Sequence, residues 1–295
     1  MLDPIDIQAF EAARPSLLGL AYRILGLRAD AEDAVQDTFV KWANADRTVI
    51  ESPISWMTKT CTRRCVDLLR SAHRSRVDYV GAWLPEPIHT PIDSTVETEL
   101  DVASSLTTAF LLLLERLTPK ERAAYLLHEI FDVSYTDVAE TLEIKESTCR
   151  KLVSRAKANI DQANIRHVTP LAKQDQLLSA FQAAITHGAT TTLADLLADD
   201  IRLSADGGGK VAAIQQVLQG KADVLAFIGK RLVNYWADYR WATIDVNGGR
   251  GFVLEQGGRT VASVSFAYDE TGKAKDIFIM RNPDKLSSLG TLAIH

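Results

Sequence analysis

The sequence predicts a multidomain chain: two all-α domains, the second holding a helix-turn-helix, followed by an α+β domain with a twisted antiparallel sheet. Three observations carry this. Apolar residues recur at helical spacing from Ile5 to about Arg76 and again from about Glu97 to Arg166. Within the second block a short amphipathic segment is followed, after a turn, by a basic one. From Tyr239 onward the period changes to alternation broken by glycine pairs, the pattern of strands joined as hairpins.

In the first block, residues 1–76, Phe10, Leu17, Leu18, Ala21, Ile24 and Leu25 stripe one helix. Val35, Phe39, Val40 and Trp42 stripe a second, and Ile54, Trp56, Met57, Val66, Leu68 and Leu69 extend the pattern beyond it. Residues 77–96 carry Pro85, Pro87 and Pro91 and read as an extended linker. In the second block, residues 97–167, Val138, Ala139 and Leu142 fall at helical spacing, and so do Leu152, Val153, Ala156 and Ile160. Two such helices pack through those faces and leave Thr148, Arg150, Lys151, Ser154, Arg155 and Lys157 outward. Those hydroxyls and guanidinium groups suit base edges in a major groove, and the lysines suit phosphates. The same helix also reads as an ordinary solvated basic helix of a bundle.

In residues 168–295, Leu177, Leu178, Phe181 and Ile185 open a helix, Leu193, Leu196 and Leu197 form a second, and another begins near Ala222. The alternating runs follow: Tyr239, Trp241, Thr243 and Asp245, then Phe252 and Leu254, then Val261 to Ala267, then Phe278 and Met280. Gly248-Gly249, Gly257-Gly258 and Asp269-Glu270-Thr271-Gly272 separate them as turns.

The bulk numbers exclude several classes. A formal net charge of -5 over 295 residues rules out a polycation, so nucleic-acid binding must rest on local basic patches. Two exist: Lys59, Arg63, Arg64, Arg70, Arg74 and Arg76, and Lys145, Arg150, Lys151, Arg155, Lys157 and Arg166. No apolar run is long enough to span a membrane. The first residues lack the pattern of a signal peptide, and 3 cysteines are too few for a disulfide scaffold, so a reducing cytoplasm is expected. Cys61 and Cys65, four apart on a helix, read as core packing before metal or redox chemistry, and neither a metal nor a cofactor is expected.

The residues resemble a family. Asp30-Ala31-Glu32-Asp33-Ala34-Val35-Gln36-Asp37-Thr38-Phe39-Val40-Lys41-Trp42 is similar to the polymerase-binding helix of bacterial extracytoplasmic-function sigma factors of the sigma-70 family. Pro53-Ile54-Ser55-Trp56-Met57 with Arg63-Arg64-Cys65-Val66-Asp67-Leu68-Leu69-Arg70 resembles the element that opens and reads the promoter −10 region, and the helix-turn-helix resembles the −35 reader. The resemblance implies a transcription initiation factor, not an enzyme, with core RNA polymerase and promoter DNA as partners and no membrane. Asp30, Glu32, Asp33, Gln36, Phe39 and Trp42 would then dock on a coiled coil of the clamp region in the largest polymerase subunits. Phe39 and Trp42 fit core packing equally well. Lys59, Arg63, Arg64, Arg70 and Arg74 would serve the −10 strand, and Thr148, Arg150, Lys151, Ser154, Arg155 and Lys157 the −35 duplex. Trp56 could stack on a base or lie in the core. The family often has glycine where Glu143 stands, a small helix-capping residue where Lys145 stands and valine where Cys149 stands, so Glu143 must avoid or tolerate a left-handed turn.

A narrower resemblance covers the remainder. Trp83-Leu84-Pro85-Glu86-Pro87, Asp206-Gly207-Gly208-Gly209-Lys210 and Asn282-Pro283-Asp284-Lys285-Leu286 are similar to signature motifs of one sigma subgroup. Its members carry a C-terminal SnoaL-like domain, an α+β cone with a curved antiparallel sheet, in place of a dedicated anti-sigma partner. The resemblance implies regulation in cis. Trp236, Tyr239, Trp241, Phe252, Phe266, Tyr268 and Phe278 suffice to line a hollow for a small ligand. Catalysis is the weaker expectation: His187 and His295 lie outside the strand region, leaving Asp245 and Asp276 as candidate bases. The glycine run reads as an anion cradle or, more readily, as a tight loop against the Trp83–Pro87 linker. Two alternatives stand beside the sigma reading: a free-standing DNA-binding regulator with an effector-binding domain, and an isomerase- or cyclase-like enzyme fused to a DNA-binding module.

Overall fold

The computed structural model describes residues 3–77, 79–90, 105–161 and 169–289. They fall into two compact units, one formed by Met1–Val77 with Leu113–Gln162 and the other by Asp78–Leu112 with Ala163–His295.

The first unit is all helix. α1 (Pro4–Leu25) starts on a capping box made by Asp3 and Asp6 and ends at Gly26, whose φ of 73° only glycine adopts freely. α2 (Arg28–Asn44) and α3 (Pro53–Val77) pack against it. Phe10, Leu17, Ile24, Val35, Trp42, Met57 and Leu69 are buried among them. Cys61 and Cys65 lie in this core, fully buried. A hydrogen bond from Cys65 lowers the Cys61 thiol pKa, and the same bond together with burial pushes Cys65 well up.

From Leu113 onward the second helical block belongs to the same unit, Thr108–Leu112 belonging to the other. α4 (Thr108–Leu114) leads to α5 (Pro119–Tyr125), capped by Thr118 and Glu121, and then through a wider helical turn at Leu126–Ile130 to α6 (Tyr135–Leu142) and α7 (Glu146–Asp161). Arg122, 3% exposed, ties the blocks together: its Nη1 donates to the Ile24 carbonyl at 2.7 Å and to the Glu115 carboxylate at 2.6 Å. Arg23, buried beneath Phe131, has its pKa lowered to about 10 by burial.

The second unit is α+β. α8 (Leu171–His187) and α9 (Thr190–Leu196) precede β1 (Leu197–Asp206) and a two-residue β2 (Leu218–Gln219). α10 (Lys221–Phe227) and α11 (Val233–Trp236) lead into the meander β3 (Arg240–Val246), β4 (Gly249–Gln256), β5 (Arg259–Tyr268) and β6 (Ala274–Met280), and α12 (Pro283–Leu286) follows. The strand order is β2-β1-β6-β5-β4-β3. The sheet is mixed, which corrects the antiparallel expectation: β1 runs parallel to β6 and every other pair is antiparallel. Leu197 is likewise the first residue of β1, not the end of a helix. The β3–β4 turn is Asn247-Gly248 and the β4–β5 turn Gly257-Gly258, all with positive φ as tight hairpins of this twist require.

Each face of the sheet has its own core. On one, Phe181, Leu203, Trp236, Phe252, Val264 and Ile277 pack with α8 and α10. On the other, Val253, Ala267, Phe278 and Met280 are covered by Leu84, Ala109, Leu286 and Leu289. That second cover comes from the linker, the start of α4 and the C-terminal motif.

Candidate nucleic-acid interface and linker lock

The helix-turn-helix is built as its pattern requires. Ser134 caps α6 by accepting from the Asp137 amide at 3.2 Å. Glu143 ends α6 in the left-handed region (φ 53°, ψ 54°), so it tolerates the conformation for which the family favours glycine. Cys149, Val153, Ala156 and Ile160 bury one face of α7. Thr148, Arg150, Lys151, Ser154, Arg155 and Lys157 are all exposed on the other, as expected. Two of them are held by acids: Arg150 on Glu146 at 2.8 Å and Lys157 on Glu129 at 2.7 Å.

The −10 candidates on α3 are differently placed. Lys59 pairs with Glu140 of α6. Arg63 donates from Nε to the Thr141 carbonyl at 2.8 Å and from Nη2 to the Glu140 carbonyl and the Glu143 carboxylate, both at 3.0 Å. Arg64 forms an ion pair with Asp37 at 2.6 Å and Arg70 with Asp67 at 3.3 Å. The side chain of Arg74 lies outside the described residues. Lys59 and Arg63 are therefore engaged by α6 in this conformation and do not offer the open strand contact expected of them. Sequence shows these charges but not their pairing, because the partners stand some 80 residues away.

On α2, Asp33 and Gln36 are exposed, Glu32 is exposed and pairs with Arg28 at 2.8 Å, and Asp30 is half-buried. Phe39 is half-buried against the Phe10 ring, with centroids 4.8 Å apart. Trp42 is corrected: it is 1% exposed, and its indole N–H donates to the Asp6 carbonyl at 3.0 Å, so it is core and not a docking anchor. Trp56 packs on it with centroids 5.7 Å apart.

In the second unit the three motifs converge on one carboxylate. Asp206, at the end of β1, is fully buried. Its Oδ1 accepts from the Tyr79 hydroxyl at 2.6 Å and the Gly208 amide at 2.9 Å. Its Oδ2 accepts from the Leu84 amide at 2.9 Å and from Lys285 Nζ at 2.8 Å. Lys285 also donates to the Leu84 carbonyl at 2.7 Å and sits over the rings of Trp83 and Tyr79, at 4.5 and 5.0 Å. Asn282 donates to the Tyr79 hydroxyl at 2.9 Å, and Pro283 opens α12 behind it. Burial, and then the Asp206 carboxylate, push the Tyr79 phenol well above its ordinary range.

The glycine run is a tight loop. Its Gly208 amide goes to Asp206, and a Cβ at Gly208 (φ 61°) would collide with the Asn282 amide. A Cβ at Gly207 would meet the Val211 carbonyl, and Gly209 (φ 70°) abuts Val80. Lys210 pairs with Asp284. Leu84, Pro85, Glu86 and Pro87 are buried, Leu84 against Leu286, and Ser288 donates to the Pro87 carbonyl at 3.1 Å. The linker then continues as an edge beside β3, exchanging bonds between Ile88 and Asn247 and between Thr90 and Asp245. Tyr79, Asn247 and the Thr108–Ser265 hydroxyl pair at 3.1 Å join these segments without any periodic or motif signal in the sequence.

Of the aromatic residues expected to line a hollow, Trp236, Trp241, Phe252 and Phe266 pack in one core with Phe181, whereas Phe278 is corrected: it lies in the core on the opposite face of the sheet. Phe181 lies 5.3 Å from Phe266 and 6.2 Å from Trp241, and Trp241 lies 5.0 Å from Phe252. Asp276 is paired with Arg202 at 2.7 Å, although burial still raises its pKa, and Asp245 is paired with Arg250 at 2.9 Å. His187 is exposed at the end of α8.

Comparison with known proteins agrees with this layout. Residues 9–75 match the family described as Sigma-70 region 2, and residues 107–160 match Sigma-70, region 4. The chain is 37% identical over 226 residues to the ECF RNA polymerase sigma factor SigJ of Mycobacterium tuberculosis, covering 76% of this chain and 72% of that one. It is 30% identical over 293 residues to the probable ECF RNA polymerase sigma factor SigI of the same species, covering 97% and 96%. The crystal structure of SigJ superposes with a TM-score of 0.74 at 31% identity, covering 96% of this chain and 98% of that one.

Proposed function

The chain belongs to the extracytoplasmic-function sigma factors of RNA polymerase, and on that premise we propose that its C-terminal α+β domain regulates it in cis by holding the linker. Membership makes it a transcription initiation factor that binds core RNA polymerase and promoter DNA, working in the cytoplasm with the polymerase, and it speaks against the polymerase-free regulator; this reading assigns the C-terminal domain no enzymatic role. The observation that supports cis regulation is the buried Asp206–Lys285 pair, which fastens Leu84 and Tyr79 to β1 and α12. A linker held this way limits the placements open to the helical elements at its two ends, so the domain biases a conformational equilibrium. The reading needs no small ligand.

Site roles follow from the family reading together with exposure where the side chain is described. Asp33, Gln36, Glu32 and the open edge of Phe39 form the polymerase-docking face of α2. α7 serves the −35 duplex with Thr148, Arg150, Lys151, Ser154, Arg155 and Lys157. Arg64, Arg70 and Arg74 serve the −10 strand, joined by Lys59 and Arg63 once α6 releases them. The arrangement described is thus a resting one, in which two promoter-facing cations of α3 are neutralised by Glu140 and Glu143.

The test is co-elution with bacterial core RNA polymerase of the full chain and of a chain ending at Arg166, followed by promoter-dependent transcription. Binding by both with a difference in transcription supports the proposal. Equal transcription would sink regulation in cis, and failure of both to bind would remove the docking face from α2.

A further inference from the structure

We propose that the pocket around the head of Lys285 is a receptor for a free primary alkylammonium, an aliphatic amine or one end of a diamine, which fills it when α12 withdraws. This rests on the linker being held by the Asp206–Lys285 pair, and it names a ligand that acts on that hold. The pocket is closed by four groups of the kind such a cation needs. Asp206 Oδ2 lies 2.8 Å from Nζ, and the Leu84 carbonyl oxygen 2.7 Å. The half-buried rings of Trp83 and Tyr79 stand 4.5 and 5.0 Å from the same atom. Oxygen acceptors on two sides and ring faces on the others make an aromatic cage with a carboxylate at its base. Asp206 comes from β1 and the other three groups from the linker, so α12 contributes the occupant and these four build the cage around it.

Hydrogen-bond geometry makes the cage selective. A primary ammonium has three donors and no acceptor, and the Asp206 and Leu84 oxygens each accept one of them. A guanidinium fork wants both oxygens of one carboxylate, but Oδ1 is already held by the Tyr79 hydroxyl and the Gly208 amide. A quaternary ammonium carries no N–H, so it restores neither bond, and its methyl groups keep the charge away from both oxygens. The need for a cation outlasts Lys285. Asp206 is fully buried, and Lys285 is the cation paired with it among the described residues. Withdrawing the lysine leaves a buried carboxylate with neutral donors alone, a costly state that any fitting cation relieves. A soluble ammonium in the cage therefore keeps Leu84 and Tyr79 on Asp206 after α12 has left, and so separates the hold on the linker from the C-terminal motif.

The experiment uses the full chain carrying Lys285→Ala, with n-propylammonium as the probe because it is the piece of side chain that this substitution removes. Hydrogen exchange at the Leu84 amide, which donates to Asp206, reads the hold on the linker. Without amine, Leu84 should exchange roughly a hundredfold faster than in wild type. For so small a ligand a Kd on the order of 1 mM is expected, and about 10 mM amine should then slow Leu84 by roughly tenfold. Potassium, guanidinium and tetramethylammonium chlorides at equal ionic strength should leave the rate unchanged. Lys285→Met, whose stem fills the cage, should not respond to the amine. If Lys285→Ala does not fold alone, circular dichroism after refolding with each salt gives the same reading, since recovery with n-propylammonium alone supports the receptor and recovery with none overturns it. No slowing by any cation, or equal slowing of Lys285→Met, overturns the site. Equal slowing by potassium or tetramethylammonium overturns its selectivity for a primary ammonium. A Leu84 rate equal to wild type in folded Lys285→Ala before any amine is added means that the ion pair does not hold the linker, and this inference falls with that reading.

Discussion

Replacing Lys285 by methionine isolates the charge of the linker lock, because methionine keeps an unbranched apolar stem against Tyr79 and Trp83. Lys285 is 6% exposed and Asp206 fully buried, so water cannot take over the lost partner without the lock opening. Removing one member of a buried ion pair costs about 3–5 kcal/mol. Asp206 keeps three donors, the Tyr79 hydroxyl and the Leu84 and Gly208 amides, which argues for the lower end, about 3 kcal/mol. At 1.4 kcal/mol per decade, that is roughly a hundredfold shift toward the released linker. The local probe is the Leu84 amide, which donates to Asp206 and should be among the protected amides of the linker. Hydrogen exchange at Leu84 in the full chain should accelerate roughly a hundredfold in Lys285→Met. Exchange at Leu84 unchanged within about threefold would mean that the ion pair does not hold the linker, and cis regulation through it would lose its physical basis.

Four further outcomes follow from the contacts of the two units. Glu140→Gln with Glu143→Gln removes the carboxylate partners of Lys59 and Arg63, Arg63 keeping the Thr141 and Glu140 carbonyls; these half-exposed pairs are each worth at most about 1 kcal/mol, so promoter affinity at low salt should rise by no more than roughly fivefold per pair and the gain should vanish at high salt. No gain at low salt would mean that α6 does not compete with DNA for α3. Trp42→Ala should destabilise the helical unit by about 3–5 kcal/mol in denaturant titration. Asp33→Ala should leave stability within about 0.5 kcal/mol and weaken polymerase binding; the reverse pattern would undo both assignments. The Tyr79 phenol is raised above its ordinary value of 10 by burial and by Asp206, so its contribution to the lock is complete below pH 10 and is lost as pH climbs toward the folded value. Linker release monitored at Leu84 should steepen above pH 10 in wild type but not in Tyr79→Phe, and equal slopes would refute the linkage.

How much of this was legible depends on whether a signal is local. α6 and α7 are visible because each buries one face at helical spacing, and the outward set from Thr148 to Lys157 follows at once from the inward one. β1 was not visible. It begins at Leu197 directly after α9, with no glycine or proline between, so Leu193, Leu196 and Leu197 read as one helical stripe. Its own alternation, Ile201, Leu203 and Ala205 inward, is clean, but its parallel partner β6 lies some 70 residues on, and nothing local announces that pairing. Trp42 shows a related limit. The stripe Val35–Phe39–Trp42 marks an apolar face, yet periodicity does not say whether a partner or α1 covers it, and only the Asp6 bond decides. Within the lock, Asp206, Lys285 and Leu84 stand in recognisable motifs, whereas Tyr79 is a single aromatic in an aperiodic linker.

The lock also explains why residue 206 must be an aspartate, since hydrogen-bond valence demands it before charge does. Two backbone amides end on this side chain, Gly208 on Oδ1 and Leu84 on Oδ2, each at 2.9 Å. Only a group with an acceptor at both positions satisfies them. Asparagine has one oxygen, and in either flip its NH2 faces one of those N–H donors, leaving a buried backbone donor unpaired at a cost of about 1–3 kcal/mol. A carboxylate is therefore required by the two backbone segments, and its buried charge in turn requires the cation at 285. On this reasoning Lys285 is the consequence and Asp206 the cause. The double variant Asp206→Asn with Lys285→Met, although free of buried charge, should remain less stable than wild type and should keep Leu84 or Gly208 in fast exchange. If removing both charges restored wild-type protection at both amides, electrostatics alone would set the lock, and the two-acceptor requirement would be wrong.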